Sequence, residues 1–96
     1  MSAYVIVIIK DVKDQAELAE YRRIGVPSLQ KTNVKFLVRP GPVDVLEGAA
    51  VEGIVMLEFP TLEEAKTWYN SPTYQEALKH RFAGAECHAF MVPGAA

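Results

Sequence analysis

The chain has 96 residues, of which 50% are hydrophobic and 23% charged, so we expect one globular domain spanning residues 1–96. Its formal net charge of -2 excludes the basic character typical of nucleic-acid-binding proteins. The hydrophobic fraction excludes intrinsic disorder, and we expect only residues 93–96, the sequence Pro-Gly-Ala-Ala, to form a loose tail.

The first apolar segment covers residues 4–9, which are Tyr-Val-Ile-Val-Ile-Ile. This β-branched run is apolar at both sets of alternating positions, and it predicts a strand that is buried on both faces. Because the run ends at Lys10, it is too short to cross a bilayer, and we expect no membrane partner.

The first helix is predicted to begin after Asp14, a favourable N-cap, with Glu17 completing a capping box three residues later. Apolar residues then recur at helical spacing. Because Pro27 has no backbone N–H to donate inside a helix, we expect this helix to stop near Gly25.

A second strand is predicted over residues 35–39, where Pro40-Gly41-Pro42 interrupts it, and residues 43–46 regain strand character. We interpret this as one long strand with a bulge. A turn over residues 48–53 then leads to a third strand over residues 54–59, which makes an antiparallel hairpin. Pairing outward from that turn places Arg39 opposite residues 58–60.

A second helix is predicted to begin at Thr61, which forms a capping box with Glu64. This helix is predicted to end before Ser71, because Ser71 is a favourable N-cap and Pro72 a favourable first residue for a new helix. This third helix is predicted to end at Gly84.

The last strand is predicted over residues 86–92 and contains Cys87, the one cysteine of the chain. A single cysteine cannot form an internal disulfide, so we expect a cytoplasmic protein. Cys87 and His88 point to opposite faces of the strand, and His80 is alone on its helix. We therefore expect neither a metal site nor a cofactor.

The order β-α-β-β-α-β predicts a ferredoxin-like α+β fold, with a four-stranded antiparallel sheet and helices on one face. The first strand is apolar on both faces, so the face without helices also needs a cover. The simplest cover is a second copy of the sheet related by a two-fold axis. We therefore predict a homodimer formed through the sheet face.

Two arginines interrupt apolar surfaces. Arg81 lies on the apolar side of the third helix, where it either needs an acidic or carbonyl partner or lies at the edge with its head in water. Arg39 shares a strand face with Leu37, and it either forms an ion pair with Glu58 or faces a ligand.

Three aromatic residues, Trp68, Tyr69 and Tyr74, surround the helix break at Ser71, and Tyr21 lies on the apolar side of the first helix. Aromatic residues at helical spacing usually fill a core. Buried tyrosine hydroxyls need partners, however, so the same residues also suit a cleft with polar groups on an apolar wall.

Five segments carry a family resemblance: Phe36-Leu37-Val38-Arg39, Val45-Leu46-Glu47-Gly48, Leu57-Glu58-Phe59-Pro60, Ala65 with Trp68-Tyr69, and Ser71-Pro72-x-Tyr74-Gln75. Together they resemble a small bacterial family, domain of unknown function 1330, in the dimeric α+β barrel superfamily. The resemblance implies a ferredoxin-like protomer that dimerises through its sheet. It implies no established activity.

These observations predict a homodimeric protein that binds a small anionic or aromatic molecule, such as an organic acid, between helices and sheet. The candidate ligand-binding residues are Arg39, Tyr21, Trp68, Tyr69, Ser71, Tyr74 and Arg81. Two alternatives stay open. One is a cofactor-independent oxygenase or isomerase with Glu58 or His80 as base, and the other is a purely structural dimer with internally paired arginines.

Overall fold

The computed structural model describes residues 1–95, and this part of the chain forms one antiparallel sheet in the strand order β2-β3-β1-β4. The strands are β1 (Ala3–Val12), β2 (Lys35–Val38), β3 (Gly53–Phe59) and β4 (Ala85–Pro93). The helices are α1 (Gln15–Gln30), α2 (Leu62–Tyr69) and α3 (Pro72–Gly84). The predicted ferredoxin-like α+β architecture is confirmed. Within residues 1–95, none of the helices combines the length and the hydrophobicity needed to cross a membrane.

The two faces of the sheet have different surroundings. On the covered face, Val5 of β1 and Leu57 of β3 belong to a core that they share with all three helices. The open face carries the other set of alternating residues, which are Tyr4, Ile6, Ile8, Ile54, Met56, Glu58, His88, Phe90 and Val92. Phe90 is 48% exposed, so the open face presents a large apolar surface on a single chain.

Helix α1 begins at its predicted N-cap, because the Asp14 carboxylate accepts hydrogen bonds from the N–H groups of Ala16 and Glu17. The predicted capping box is incomplete, since the Glu17 carboxylate contacts His80 instead. The N–H of Asp14 donates to the carbonyl oxygen of Gly84 at 3.0 Å, so the start of α1 is held to the end of α3.

The prediction that α1 stops near Gly25 is wrong, because the helix continues through Pro27 to Gln30. Proline removes one hydrogen bond here, close to the end of the helix, and its side chain is exposed. Tertiary packing compensates: Ser28 and Leu29 are buried, and the Ser28 hydroxyl donates to the Gly25 carbonyl at 2.5 Å.

The break between α2 and α3 has the predicted structure. The Ser71 hydroxyl donates to the Trp68 carbonyl at 2.7 Å and accepts from the N–H of Tyr74 at 3.3 Å, so one side chain ends α2 and begins α3. Pro72 occupies the first turn of α3, and Thr61 caps α2 as predicted. The change of direction places the rings of Trp68 and Tyr74 only 4.0 Å apart between centroids.

The second strand is shorter than predicted. It ends at Val38, and residues 39–52 form an irregular connection in which residues 43–46 are not a strand. Leu46 is 94% exposed, and residues 43–46 pair with no strand. Strand propensity reflects packing against neighbouring strands, which these residues do not have on a single chain.

The shorter strand changes the register of the hairpin. Lys35, rather than Arg39, lies opposite Glu58, so the predicted placement of Arg39 opposite residues 58–60 is wrong. The Arg39–Glu58 ion pair does not form. Glu58 instead belongs to the open face, where its carboxylate accepts a hydrogen bond from the Tyr4 hydroxyl at 3.4 Å.

The C-terminal segment begins within the sheet. Pro93 is the last residue of β4, and the N–H of Gly94 donates to the carbonyl oxygen of Ser2 at 2.7 Å. The first half of the predicted loose tail is therefore held to the N-terminal end of β1. Ala96, the last residue of that tail, lies outside the described residues.

The junction between α3 and β4 has no room for a side chain at Gly84. A Cβ atom there would lie 2.9 Å from Cδ2 of Leu18 and 3.0 Å from the carbonyl oxygen of Asp14. We expect Gly84→Ala to destabilise the protein by about 1–3 kcal/mol, measured by urea unfolding. Gly41→Ala is the matched control, because the nearest atom to its Cβ is 4.0 Å away. An equal loss in both variants would contradict the packing explanation.

Candidate functional site

A cavity of about 190 Å³ lies between the helices and the covered face of the sheet, with its mouth at the surface. Apolar side chains such as Val5, Val7 and Leu57 form its sheet wall, and Tyr21 and Trp68 form part of its helix wall. An engineered apolar cavity of about 150 Å³ in another protein accepts benzene. The space therefore suits a ligand with about one ring or a short aliphatic chain.

Arg81 provides the buried charge of this cavity, with 5% of its surface exposed. Its Nη1 donates to the Tyr74 hydroxyl at 3.4 Å, whereas its Nε has no hydrogen-bond partner. Within residues 1–95, no carboxylate forms an ion pair with it. The alternative of an edge position with the head in water is therefore wrong. Cζ of Arg81 also lies 5.8 Å from the ring centroids of Tyr21 and Phe82. A buried guanidinium without a carboxylate partner destabilises the folded state, and an anion in the cavity would relieve that penalty.

Two tyrosines join the helices at the cavity wall. The hydroxyls of Tyr21 and Tyr74 lie 2.8 Å apart, and the two rings are in an edge-to-face arrangement with centroids 6.0 Å apart. Burial raises the pKa of Tyr74, so its phenol stays neutral. Because the Tyr74 oxygen accepts from Arg81, its own proton is available to Tyr21 or to a bound ligand.

The Trp68 indole is a fixed wall of the cavity. It is buried, and its Nε1 donates to the Ser28 hydroxyl at 3.1 Å. Its ring centroid lies 5.4 Å from that of Phe59 on the sheet and 4.0 Å from that of Tyr74. The polar edge of Trp68 is thus used inside the fold, and its apolar surface faces the cavity.

Arg22 and Arg39 line the mouth of the cavity from exposed positions. Cζ of Arg39 lies 4.3 Å from the ring centroid of Phe36, a cation–π contact that holds the guanidinium beside the opening. In the described part of the chain, neither rim arginine has an acidic partner. Arg39 had been predicted as a site residue, whereas Arg22 and Phe36 had not.

Two other predicted ligand-binding residues lie away from this cavity. Tyr69 packs against Trp68, with ring centroids 6.2 Å apart, but it does not line the cavity. Ser71 lines a second, more polar and more open cavity of about 340 Å³, which shares Trp68 with the first. The helix break therefore directs Tyr74 into the first cavity and leaves Tyr69 and Ser71 outside it.

The two candidate bases also lie elsewhere. Glu58 belongs to the open face, on the opposite side of the sheet from the cavity. His80 Nδ1 lies 2.8 Å from a carboxylate oxygen of Glu17, in a half-buried contact between α3 and α1. Neither side chain lines the cavity, so neither is placed to take a proton from a molecule bound there.

The cavity contains a single thiol. Cys87 of β4 is half-buried and lines the wall, and burial raises its pKa, so it is protonated at neutral pH. A protonated thiol is a weak nucleophile. Within residues 1–95, no three His, Cys, Asp or Glu side chains come together in a way that would hold a metal ion.

The sequence matches the family model of a domain of unknown function, DUF1330, over residues 2–95. The chain belongs to the DUF1330 family. This confirms the resemblance seen in the sequence. No functionally curated protein matches this DUF1330 chain.

Several solved structures share the fold of this DUF1330 chain at low sequence identity. A protein of unknown function from Rhodopseudomonas palustris is 17% identical, with a TM-score of 0.78 over 99% of this chain and 83% of the other. A dimeric ferredoxin-like protein of unknown function from Jannaschia sp. CCS1 is 12% identical, with a TM-score of 0.68 over 98% and 100% of the two chains. SnoaB, a cofactor-independent oxygenase from Streptomyces nogalater, is 7% identical, with a TM-score of 0.63 over 99% and 94%. These identities establish the fold alone.

The polar groups that line the cavity of the DUF1330 chain are mainly hydrogen-bond donors. They belong to Arg22, Arg39 and Arg81 and to Tyr21 and Tyr74. Of the described residues, no carboxylate or imidazole lines this space. Donors around an apolar space suit an anion with an apolar body.

Proposed function

We propose that this DUF1330 protein is a homodimer that binds a small organic acid in the cavity of each protomer. The carboxylate lies against Arg81, and the apolar body lies between the sheet wall and the rings of Tyr21 and Trp68. The observation that supports this proposal is the Nε of Arg81, a buried donor without a partner.

A carboxylate is the ligand group that best matches this end of the cavity. The planar guanidinium presents N–H donors in a fork that two carboxylate oxygens can accept together. Its negative charge offsets the buried positive charge, and its oxygens give Nε of Arg81 the missing acceptor. The neutral hydroxyl of Tyr74, which already contacts Arg81, can supply a further donor.

The homodimer is supported by the open face. Its apolar residues, among them Ile6, Met56 and Phe90, have no cover on a single chain. Two such faces packed together about a two-fold axis would bury this surface. The related fold from Jannaschia is described as dimeric, which agrees with this assembly. The cavity lies on the other side of each sheet and stays accessible in such a dimer.

Binding fits the cavity better than the two alternatives. An oxygenase, the activity named for SnoaB, or an isomerase would require a base that reaches the substrate, and the residues that line this cavity within 1–95 include no carboxylate or imidazole. A purely structural dimer gives no reason for an open cavity that contains an unpaired, buried Arg81.

Thermal unfolding with matched pairs of small molecules tests the proposal. Benzoate and hexanoate are compared with benzamide and hexanamide, which have the same bodies without the charge. At a hundredfold excess over its dissociation constant, a ligand stabilises the fold by about 2.7 kcal/mol, which raises the melting temperature by roughly 10 °C or more. We expect this shift for acids only. No shift with any acid, or equal shifts with the amides, would contradict the proposal.

Cys87 offers an independent measurement of where the acid binds. The thiol lines the cavity and, in the cytoplasm where we place the protein, stays reduced. Because burial raises its pKa, we expect slow alkylation by iodoacetamide at pH 7 and faster alkylation as the pH rises and thiolate forms. A bound acid should slow the reaction at least fivefold at saturation. Unchanged rates, with binding established by thermal shift, would place the acid elsewhere.

A further inference from the structure

The arginines of the chain are distributed unevenly. The sequence contains four arginines, six lysines and 12 acidic residues. Three of the four arginines line the 190 Å³ cavity, whereas none of the lysines or acidic residues within 1–95 does so. A protein with a net charge of -2 thus places three positive charges, and no negative charge, around one apolar space. Three cations exceed what a single carboxylate can neutralise.

These three arginines lie at two levels of the cavity. Arg81 is on the inner wall and buried, whereas Arg22 and Arg39 are exposed at the mouth. The neighbouring arginine, Arg23, has a different environment, because it forms an ion pair with Glu20 at 2.5 Å on the outer surface of α1. Arg22 and Arg39 have no such partner within residues 1–95, so their guanidinium groups are available to a ligand.

We propose that the ligand is a dicarboxylate with an apolar body. This inference rests on the proposed function and specifies the class of acid that the site binds. One carboxylate lies against Arg81, and the second lies at the mouth between Arg22 and Arg39. The apolar side chains of the sheet wall contact the carbon atoms between the two charges. The cation–π contact with Phe36 keeps the Arg39 guanidinium beside the opening, where its charge favours a carboxylate over a neutral end group.

Isothermal titration with matched mono- and dicarboxylates tests this inference. Adipate is compared with hexanoate, and terephthalate with benzoate, so that within each pair a second carboxylate replaces the terminal methyl group or the para hydrogen atom. We expect at least one dicarboxylate to bind roughly tenfold more tightly than its monocarboxylate. This advantage should fall as salt is raised, because the rim arginines are exposed to solvent.

Variants at the rim attribute the advantage to individual residues. The double variant Arg22→Ala and Arg39→Ala should lose the tenfold preference, so that it binds each dicarboxylate no more tightly than the matched monocarboxylate. Arg23→Ala is the matched control, because it removes the same charge from the next position of the same helix without touching the cavity. Both rim side chains are exposed, so the variants are expected to fold, and circular dichroism checks this.

The outcomes separate this inference from the proposed function. Equal affinities for mono- and dicarboxylates would overturn the inference and leave acid binding at Arg81 intact. A preference that survives in the double variant, or that Arg23→Ala removes to the same extent, would also overturn it. If neither class of acid binds, both the inference and the proposed function are wrong.

Discussion

The variant Arg81→Met is expected to melt at a higher temperature than the wild-type protein and to lose its binding of organic acids. Methionine keeps an unbranched apolar stem and removes a buried charge whose Nε is unpaired. Replacing buried ionic groups with apolar residues of similar volume often stabilises proteins by about 1–4 kcal/mol. In a domain of this size, 1 kcal/mol shifts the melting temperature by about 4–8 °C, so calorimetry should detect a rise of at least roughly 4 °C.

Loss of organic-acid binding is the second expected property of Arg81→Met. Titration of Arg81→Met with benzoate or with adipate should give no measurable heat. Arg81→Lys keeps the charge but not the fork, so we expect weaker binding without the gain in stability. Arg23→Met serves as the control, because its side chain is exposed and paired with Glu20, and it should change neither property. An Arg81→Met protein that is less stable than wild type would show that Arg81 is needed for folding rather than for a ligand.

These opposite effects on stability and binding have one physical cause. Without a ligand, Arg81 is desolvated and has a single long hydrogen bond, to Tyr74. In the proposed complex a bound carboxylate relieves that penalty, so the proposal links the free energy of binding to the free energy of folding at this site. A residue that destabilises the ligand-free protein is retained in evolution most readily where it contributes to ligand binding.

The helix boundaries could be predicted because their signals are local. Three N-caps predicted from the sequence are present in the structure, namely Asp14, Thr61 and Ser71. Each side chain accepts hydrogen bonds from backbone N–H groups no more than three residues further along the chain. The end of α1 could not be predicted in the same way. Packing of Ser28 and Leu29 against the core outweighs the hydrogen bond lost at Pro27, and such contacts depend on the complete fold.

The hairpin shows a second limit of sequence analysis. Residues 43–46 have strand propensity, yet no neighbouring strand pairs with them, and residues 39–52 stay irregular. The prediction counted pairs outward from a turn over residues 48–53, so this error moved Arg39 to the wrong neighbour. Register depends on the connection as well as on the strands, and a connection of this length carries little local information.

The main features of the cavity could be predicted, but not its full lining. Tyr74 and Arg81 are seven residues apart on α3, so helical periodicity places both on one side. Tyr69 directly follows Trp68, and a rotation of about 100° per residue directs it away from the cavity. The residue type of Tyr69 does not indicate whether its side chain faces the cavity, because tyrosine occurs both in cores and at surfaces.

The sequence analysis did not predict Arg22 as a site residue, because Arg22 and Arg23 form a charged pair of the kind that is usually exposed to solvent. A usable signal was present, since Leu18 and Val26 lie one helical turn before and after Arg22 and line the same cavity. An arginine between two apolar residues at four-residue spacing borders the buried side of its helix. The rule that predicted Arg81 would therefore also have predicted Arg22.

The variant Phe90→Asp is expected to convert the proposed homodimer into a monomer. The Phe90 ring is 48% exposed on a single chain, so the substitution should not disturb the protomer core. In a symmetric interface each substitution acts twice, and each Phe90 loses roughly 1.5–3 kcal/mol of burial and adds a carboxylate that must be desolvated. We therefore expect the dimer dissociation constant to rise more than about a hundredfold. Sedimentation equilibrium at micromolar concentration should give the mass of one chain.

Phe82→Asp provides the matched control for this result. It introduces the same change at a ring that is 66% exposed on α3, which does not belong to the open face, so this variant should stay dimeric. A wild-type mass of one chain, or equal dissociation of both variants, would contradict an interface on the open face. Because the cavity lies on the opposite side of the sheet, monomeric Phe90→Asp should still bind acids. Loss of binding together with dissociation would instead mean that the partner completes the site.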